Sequence, residues 1–395
     1  MKKILIIGAG FLQAFIIKKA KEMGYYTIAI DRNSNSIGFK YANEYKVIDI
    51  IDKESCLNYA NIKEVDGVIT AATDYGVLSA AYVAEKLKLP GIRYNVAEVI
   101  KNKYKVRKIL SQNSVDDINQ YFEVSSKSEI DKILDKIVFP VMVKPCDGSG
   151  SKGAQKVNSK SDFPSACYNA IQNSLIGKAL IEDFIDGKEY GVESFVENGQ
   201  VHVLGIMEKY MTNPPEYAEL GHSIGKKNKC DEKIRQTVCK AIKSLGINFG
   251  PVNMDILLTE DEKICIVDVG ARMGGNLIGS HIIPLGTGVE YMENILRLAV
   301  GDEVDLRSKN KKNNVVTRLL ALKPGKIELL PNIGDIEKEC EVKVYHHLSV
   351  GNTIRKYRNN LDGMGYIVAI DDEICKAEEK ANRAKYLIDK NIKRI

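Results

Sequence analysis

A glycine-rich stretch directly after a short apolar strand constrains the fold of this 395-residue chain more than any other feature. The strand predicted at 138–143 leads into Lys144, after which Gly148, Gly150 and Gly153 alternate with small polar residues. Glycines let the backbone approach a ligand closely and adopt positive φ, so several N–H groups can converge on one anion. The lysine of a P-loop follows the glycines and opens a helix, whereas Lys144 precedes them. The stretch therefore predicts either a phosphate-binding loop of another type or a flexible glycine hairpin.

The first part of the chain alternates short apolar runs with helical patterns, which predicts a doubly wound parallel sheet. The expected strands are 4–7, 26–30, 47–50, 67–71 and 89–92, and the expected helices include 11–23 and 76–87. Gln13 stands where a dinucleotide-binding fingerprint has its third glycine, so NAD binding is not favoured. Asp74, in the loop after the fourth strand, either caps the next helix, which is the preferred interpretation, or faces a ligand.

A second informative stretch combines an apolar strand, a tight turn and a returning strand. Glu182 and Phe184 come from the end of the first strand, the turn contains Gly187, and Glu189 opens the returning strand. Main-chain groups of such an extended connector can hydrogen-bond an adenine edge, while Phe184 or Ile185 can pack on the face of the base. A carboxylate at the start of the returning strand can hold ribose hydroxyls, so the stretch predicts an adenosine site.

Two cations, Lys103 and Arg107, share one face of a helix predicted over 102–110. Like charges at this spacing cost stability unless the side chains lie apart or an anion is bound. The order of Lys103, Lys144, the glycine loop and the segment 182–189 resembles the ATP-grasp family, whose nucleotide lies between two α+β subdomains. The resemblance extends from the first strand to about residue 305 and includes the α/β domain that usually precedes an ATP-grasp core.

The resemblance implies a nucleotide site with separate parts for phosphate, adenine and ribose. Lys103 and Lys144 are expected to contact phosphates, Glu182 to begin the adenine hinge and Glu189 to bind ribose. The residues expected to bind ATP are Lys103, Lys144, Gly148, Ser149, Gly150, Ser151, Gly153, Glu182, Asp183, Phe184, Ile185, Glu189 and His222.

A histidine follows a loop whose composition suggests a lid. The loop 212–218 contains Pro214 and Pro215, and His222 comes shortly after it. In ATP-grasp proteins a histidine in this region often touches nucleotide or substrate. A lone histidine is as often structural, so both interpretations of His222 stay open.

Two apolar strands joined by a polar turn carry one aspartate each. If Thr259 pairs with Ile264 in this hairpin, counting along the antiparallel ladder places Asp255 directly opposite Asp268 on one face. Like charges that are paired directly are destabilising, and a Mg²⁺ ion carried by nucleotide phosphates would offset the repulsion. The alternative is a slipped register that leaves one aspartate in solvent.

The metal ligands of ATP-grasp enzymes commonly include a Glu-x-Asn-x-Arg pattern on the second strand. This chain keeps the acid, Asp268, and the arginine, Arg272, but has glycine in place of the asparagine. The resemblance implies that Asn276 completes a shell with Asp255 and Asp268 for Mg²⁺ or Mn²⁺. Arg272 is expected to hold the substrate carboxylate and its acyl-phosphate, since guanidinium binds both bidentately, or else to form a structural salt bridge. Arg272 and Lys144 are the expected catalytic residues.

The rest of the sequence sets the domain plan and excludes several kinds of partner. The predicted domains are a pre-ATP-grasp α/β domain (1–95), an ATP-grasp core (96–310, with subdomains 115–185 and 186–310) and a small C-terminal α+β domain (311–395). The net charge of +5 is modest and the lysine clusters lack aromatics, which argues against nucleic acid. The apolar run at the start is too short for a signal peptide or membrane span, so a cytoplasmic protein is expected.

The resemblance implies an ATP-dependent ligase that joins a small-molecule carboxylate to an amine through an acyl-phosphate. Within the family, the chain resembles amino-acid ligases and phosphoribosylglycinamide synthetase-like or carbamoyl-phosphate-synthase-like proteins. One alternative is a bicarbonate-using carboxylase of the biotin-carboxylase or carboxyaminoimidazole type, and another is a regulatory protein that binds ATP without turnover. The oligomeric state, including a homodimer, stays open.

Overall fold

The computed structural model describes residues 1–214 and 217–395, so Pro215 of the predicted lid lies outside the described residues. The strands are β1 (Lys3–Ile7), β2 (Tyr26–Asp31), β3 (Glu44–Val47), β4 (Gly67–Thr70), β5 (Tyr121–Val124), β6 (Val141–Pro145), β7 (Gln155–Val157), β8 (Ala179–Asp183), β9 (Lys188–Glu197), β10 (Gln200–Met211), β11 (Glu219–Ile224), β12 (Gly250–Leu258), β13 (Ile264–Gly270), β14 (Asn314–Leu319), β15 (Gly325–Leu329), β16 (Val342–His346), β17 (Thr353–Ile354), β18 (Gly365–Asp371) and β19 (Lys393–Arg394). The α-helices are α1 (Gln13–Glu22), α2 (Lys53–Lys63), α3 (Val77–Leu87), α4 (Tyr94–Ile100), α5 (Lys103–Gln112), α6 (Lys127–Ile133), α7 (Phe163–Gln172), α8 (Asp231–Ser244), α9 (Ile283–Thr287), α10 (Tyr291–Ala299), α11 (Ile333–Cys340) and α12 (Ile374–Asn391).

The N-terminal strands form a parallel sheet in the order β3-β2-β1-β4. Successive residues of β1 enter different cores because strand side chains alternate between faces. Ile4 and Ile6 pack with the helix α1, whereas Leu5 and Ile7 pack with residues of α2 and α3. Burial on both faces explains the continuous apolar run in the sequence. The predicted doubly wound parallel sheet is confirmed.

Two strand predictions in this domain were wrong. The segment 89–92 forms no strand, because Lys88 adopts the left-handed conformation that ends α3 and Pro90 has no N–H to donate to a ladder. The strand predicted at 47–50 instead ends at Val47, which pairs with Asp31 at the end of β2. Beyond that position β2 offers no further partner.

Two antiparallel sheets follow, and the candidate site lies between them. The smaller sheet has the order β5-β8-β6-β7 and is covered by α6 and α7. The larger has the order β13-β12-β9-β10-β11-β14-β18-β16, with α8 packed on β9 and β12. This arrangement agrees with the predicted core of two α+β subdomains.

The C-terminal segment is not separated from the core sheet. β14 pairs with β11, and β18 and β16 extend the same sheet, while α11 and α12 pack against it. The domain boundary predicted at residue 310 therefore falls between two strands of one continuous sheet, and the division into domains stays a prediction. In residues 1–214 and 217–395, none of the helices has both the length and the apolar character required to span a membrane.

Candidate active site

The lysine before the glycine loop belongs to a buried ion-pair network. Nζ of Lys144, at the end of β6, lies 2.6 Å from Oε1 of Glu182 on β8. Nε of Arg107 donates to the other oxygen of that carboxylate at 2.9 Å, and its Nη1 donates to Asp116 at 2.6 Å. Lys144 also donates to the main-chain oxygen of Val267 at 2.9 Å. These bonds tie the sheet of the glycine loop to β13.

The network defines what Glu182 and the two helix cations do. Burial raises the pKa of Glu182, but Lys144 and Arg107 outweigh it and hold the pKa below its usual value. The carboxylate is bound by these two cations, and the expected role of Glu182 in the adenine hinge stays a prediction. Lys103 and Arg107 each have an acidic partner of their own: Lys103 pairs with Asp268, and Arg107 pairs with Glu182.

The rest of the predicted adenine hinge joins the two sheets. The Asp183 carboxylate accepts the main-chain N–H of Asn119 at 2.9 Å, so it is bound to the segment before β5. Phe184 and Ile185 are half-buried. Nζ of Lys156 lies 3.8 Å from the ring centroid of Phe184, a cation–π contact that sequence reasoning missed.

The glycine loop is anchored at its base and exposed at its tip. The predicted phosphate-binding residues here are Gly148, Ser149, Gly150, Ser151 and Gly153. At the base, the buried Asp147 carboxylate accepts Oγ–H of Ser174 at 2.7 Å. At the tip, Gly150 and Ser151 have positive φ values of 65° and 62°. Oγ of Ser151 donates to the main-chain oxygen of Tyr217, a residue of the predicted lid, at 3.4 Å.

The two predicted metal-binding aspartates are direct partners in the ladder between β12 and β13, as expected. The register at the turn was wrong, however, because Ile264 pairs with Leu258. A β-bulge that inserts Val267 shifts the ladder by one residue and restores the pairing of Asp255 with Asp268. Without this bulge the two carboxylates would point to opposite faces of the sheet.

The donor set fits Mg²⁺, which is bound by one or two carboxylates together with nucleotide phosphates. The side chains of Asp255 and Asp268 are 28% and 37% exposed, so outside ligands can reach them. The described residues contain no group of three or more His, Cys, Asp or Glu able to hold a metal. The amide of Asn276 is engaged elsewhere: it donates to Glu219 at 2.8 Å and accepts from Tyr366 at 2.9 Å.

Two lysines hold the two aspartates. Lys103 forms an ion pair with Asp268. Nζ of Lys209, on β10, lies 3.0 Å from Oδ1 of Asp255 and 2.6 Å from Oε1 of Glu189, the predicted ribose ligand. Sequence reasoning missed Lys209, although a lysine inside a largely apolar strand needs an acidic partner.

The candidate substrate arginine is bound to the N-terminal domain. Nε of Arg272 lies 2.9 Å from Oδ1 of Asp74, and its Nη2 donates to Oδ2 at 3.0 Å. The preferred interpretation of Asp74 as a helix cap was wrong, because α3 follows Gly76 without a side-chain cap and the carboxylate faces Arg272. The salt bridge considered for Arg272 is thus present, and a role in substrate binding stays a prediction.

The structure places His222 against an acid from the same strand. Its Nε2 lies 2.6 Å from Oε1 of Glu219, and the histidine is fully buried. The other oxygen of Glu219 accepts from Asn276 and from Asn360, each at 2.8 Å. Oε1 of Glu219 is also 4.0 Å from Nζ of Lys209, which in turn contacts Asp255, so the residues around His222 adjoin the two predicted metal-binding aspartates. The described contacts of His222 do not reach the glycine loop.

A cavity joins the phosphate, metal and N-terminal parts of the site. It is lined by Asp74, Val77, Ile100, Lys101, Lys103, Asp147, Gly148, Asp268, Val269 and Ala271. Lys101 was missed by sequence reasoning. Its Nζ donates to the main-chain oxygen of Asp147 at 2.9 Å and lies 4.6 Å from the ring centroid of Tyr75. Burial lowers its pKa.

Comparison with known proteins decides the family of this site. Residues 137–280 match a family model described as an ATP-grasp domain. The chain carries an ATP-grasp domain. The resemblance drawn from its motifs is confirmed, and members of the ATP-grasp family are ATP-dependent ligases and transferases.

Solved structures share this fold over nearly the whole chain. Phosphoribosylglycinamide synthetase from Anaerococcus prevotii is 25% identical, with a TM-score of 0.78 over 100% of this chain and 99% of that one. L-amino acid ligase from Bacillus licheniformis is 22% identical, with a TM-score of 0.82 over 98% and 97%. A formate-dependent phosphoribosylglycinamide formyltransferase from Prochlorococcus marinus is 28% identical over 189 residues, 47% of this chain and 48% of that protein. That match spans about half the length of the relative.

Proposed function

We propose that this ATP-grasp protein is an ATP- and Mg²⁺-dependent ligase that joins a carboxylate to an amine and releases ADP and phosphate. The observation that carries the proposal is the shared cavity. It brings the phosphate-binding candidates Lys103 and Gly148 together with the metal-binding candidate Asp268 and with Asp74, which holds Arg272. A carboxylate placed there would lie beside both the transferred phosphoryl group and the arginine.

In the proposed reaction, the substrate carboxylate attacks the γ-phosphorus of ATP to form an acyl-phosphate and ADP. Lys144 and the main-chain N–H groups of the glycine loop hold the phosphates, and Arg272 holds the carboxylate. Asp255 and Asp268 would hold the metal ion, which would supply positive charge beside the phosphates. The amine then displaces phosphate from the acyl carbon, which forms the amide bond without a covalent protein intermediate.

The likeness to two named ligases supports this class of reaction, and each suggests substrates for testing. A phosphoribosylglycinamide synthetase-like or an L-amino-acid-ligase-like reaction uses an amino acid as the carboxylate. The formate-dependent relative suggests formate as a further carboxylate to test, and the carboxylase alternative suggests bicarbonate. The test is an ADP-release screen in which these carboxylates are crossed with ammonia and amino acids as amines.

The outcomes of the screen separate the candidate functions. ADP release that requires one carboxylate and one amine supports the ligase. Release that needs bicarbonate but no amine supports the carboxylase, and nucleotide binding without release over the whole screen supports a regulatory protein. The variant Asp268→Asn, purified in parallel, is the control for contaminating ATPases, because release that persists in it does not come from this site.

A further inference from the structure

Each candidate metal-binding carboxylate is already paired with an ammonium group of the protein. Lys103 binds Asp268, and Lys209 lies 3.0 Å from Asp255. The electrostatic repulsion expected between these two directly paired aspartates is therefore offset by lysines that come from different parts of the chain. Sequence reasoning assigned this task to the metal ion alone.

Lys209 is buried among three carboxylates. Its side chain is only 3% exposed, and its Nζ lies 2.6 Å from Glu189, 3.0 Å from Asp255 and 4.0 Å from Glu219. The ammonium group thus lies beside the predicted ribose ligand, a predicted metal ligand and the acid that contacts His222. Lys103 is 15% exposed and projects from the start of α5, beside the glycine loop.

A divalent ion and these ammonium groups exclude each other on the same oxygens. Mg²⁺ needs close contact with a carboxylate oxygen, and it would then lie next to a buried positive charge with little solvent to screen it. Nucleotide phosphates change this balance, because they offer the lysines other anionic partners and bring oxygen ligands for the metal.

We propose that Lys103 and Lys209 compete with the divalent ion for Asp268 and Asp255, so that the metal binds only together with the nucleotide. The phosphates draw the two ammonium groups off the aspartates, and the metal ion takes their place. Lys209 is then a positioning residue that couples nucleotide binding to metal binding. The inference rests on the proposed Mg-ATP site, but it concerns the order of binding and not the reaction.

The test measures binding of Mn²⁺ without turnover. Free Mn²⁺ is followed by its electron paramagnetic resonance signal in titrations of the full chain, with and without a non-hydrolysable ATP analogue. Wild type should bind Mn²⁺ tightly only with the analogue. Without it, Lys209→Met and Lys103→Met should each bind Mn²⁺ at least about tenfold more tightly than wild type, because a competing cation is gone.

Lys188→Met is the matched control. Lys188 lies next to Glu189 on β9 but pairs at 2.5 Å with Glu208, and its side chain is 46% exposed. Its loss should leave Mn²⁺ binding unchanged. Circular dichroism checks that each variant is folded. If Lys209→Met is not folded, the Lys103→Met titration and the wild-type titrations with and without the analogue still test the proposed competition.

The possible failures are distinguishable. Equal Mn²⁺ affinity of wild type with and without the analogue, or variants that bind no better than wild type, would overturn the competition. Absence of Mn²⁺ binding by wild type even with the analogue would instead contradict the proposed Mg-ATP site.

Discussion

The substitution Glu182→Gln tests whether this residue serves the nucleotide or the fold. Oε1 of Glu182 lies 2.6 Å from Nζ of Lys144, and Oε2 accepts Nε–H of Arg107 at 2.9 Å. All three side chains are less than a tenth exposed. Glutamine keeps the shape of the side chain but removes its charge and turns an NH₂ group toward one of the two cations.

The loss in the free energy of unfolding depends on the partners that Lys144 and Arg107 retain. Breaking a buried ion pair from one side typically costs about 3–5 kcal/mol, because an uncompensated charge stays buried. Lys144 retains the Val267 carbonyl, and Arg107 retains Asp116 and the Ile266 carbonyl. We therefore expect the lower end, about 3 kcal/mol of the free energy of unfolding.

The assay is urea unfolding followed by circular dichroism, since the sequence contains no tryptophan. The matched control is Glu123→Gln on the neighbouring β5. Glu123 pairs with Lys178 at 2.7 Å, but these side chains are 21% and 41% exposed, so the loss should stay below about 1 kcal/mol. If Glu182→Gln were no more destabilising than the control while ATP affinity fell, the network would serve the ligand and our reasoning would be refuted.

Three further predictions concern Lys103, the glycine loop and Glu193, a buried acid on β9 whose carboxylate accepts from Tyr291 and from the main-chain N–H of Gly274. Lys103→Met should weaken ATP binding by about 1.5–3 kcal/mol in calorimetry, because a charge-assisted phosphate contact is lost; the exposed Lys105→Met on the same helix is the control, and equal affinities in the two variants would contradict the assignment. Amides of 148–153 should exchange hydrogen quickly and gain protection with a non-hydrolysable ATP analogue, because few apolar contacts hold this loop; equal protection in both states would show a preformed or unrelated loop. Burial raises the pKa of Glu193 from 4.5 to about 7, so the folded state binds its proton more tightly and stability should fall as the pH rises from about 4.5 to about 7. Glu193→Gln should flatten this fall in melting temperature, and an unchanged slope would count against the shifted pKa.

Much of the candidate site could be predicted because its parts are local in sequence. Lys144 and the glycine loop are adjacent, and the hairpin of β12 and β13 brings Asp255 opposite Asp268 across a short turn. Even here the pairing was predicted through a wrong turn register, and the bulge at Val267 corrected it. A bulge leaves no clear mark in an apolar strand, so the agreement depended on a feature that the pattern does not contain.

The sequence by itself determined the parallel N-terminal sheet, the position of the glycine loop and the presence of the hairpin of β12 and β13, although not its register, since periodicity and short-range pairing specify these elements. The tertiary structure alone decided which charges meet. Asp74 and Arg272 are 198 positions apart, and Lys103 and Asp268 are 165 apart. A buried charge needs a partner, but many acids in the sequence could supply one. Only the packing of the sheets and the N-terminal domain selects among them, so the pairing of Lys103 with Asp268 and of Lys209 with Asp255 could be identified only in the folded chain.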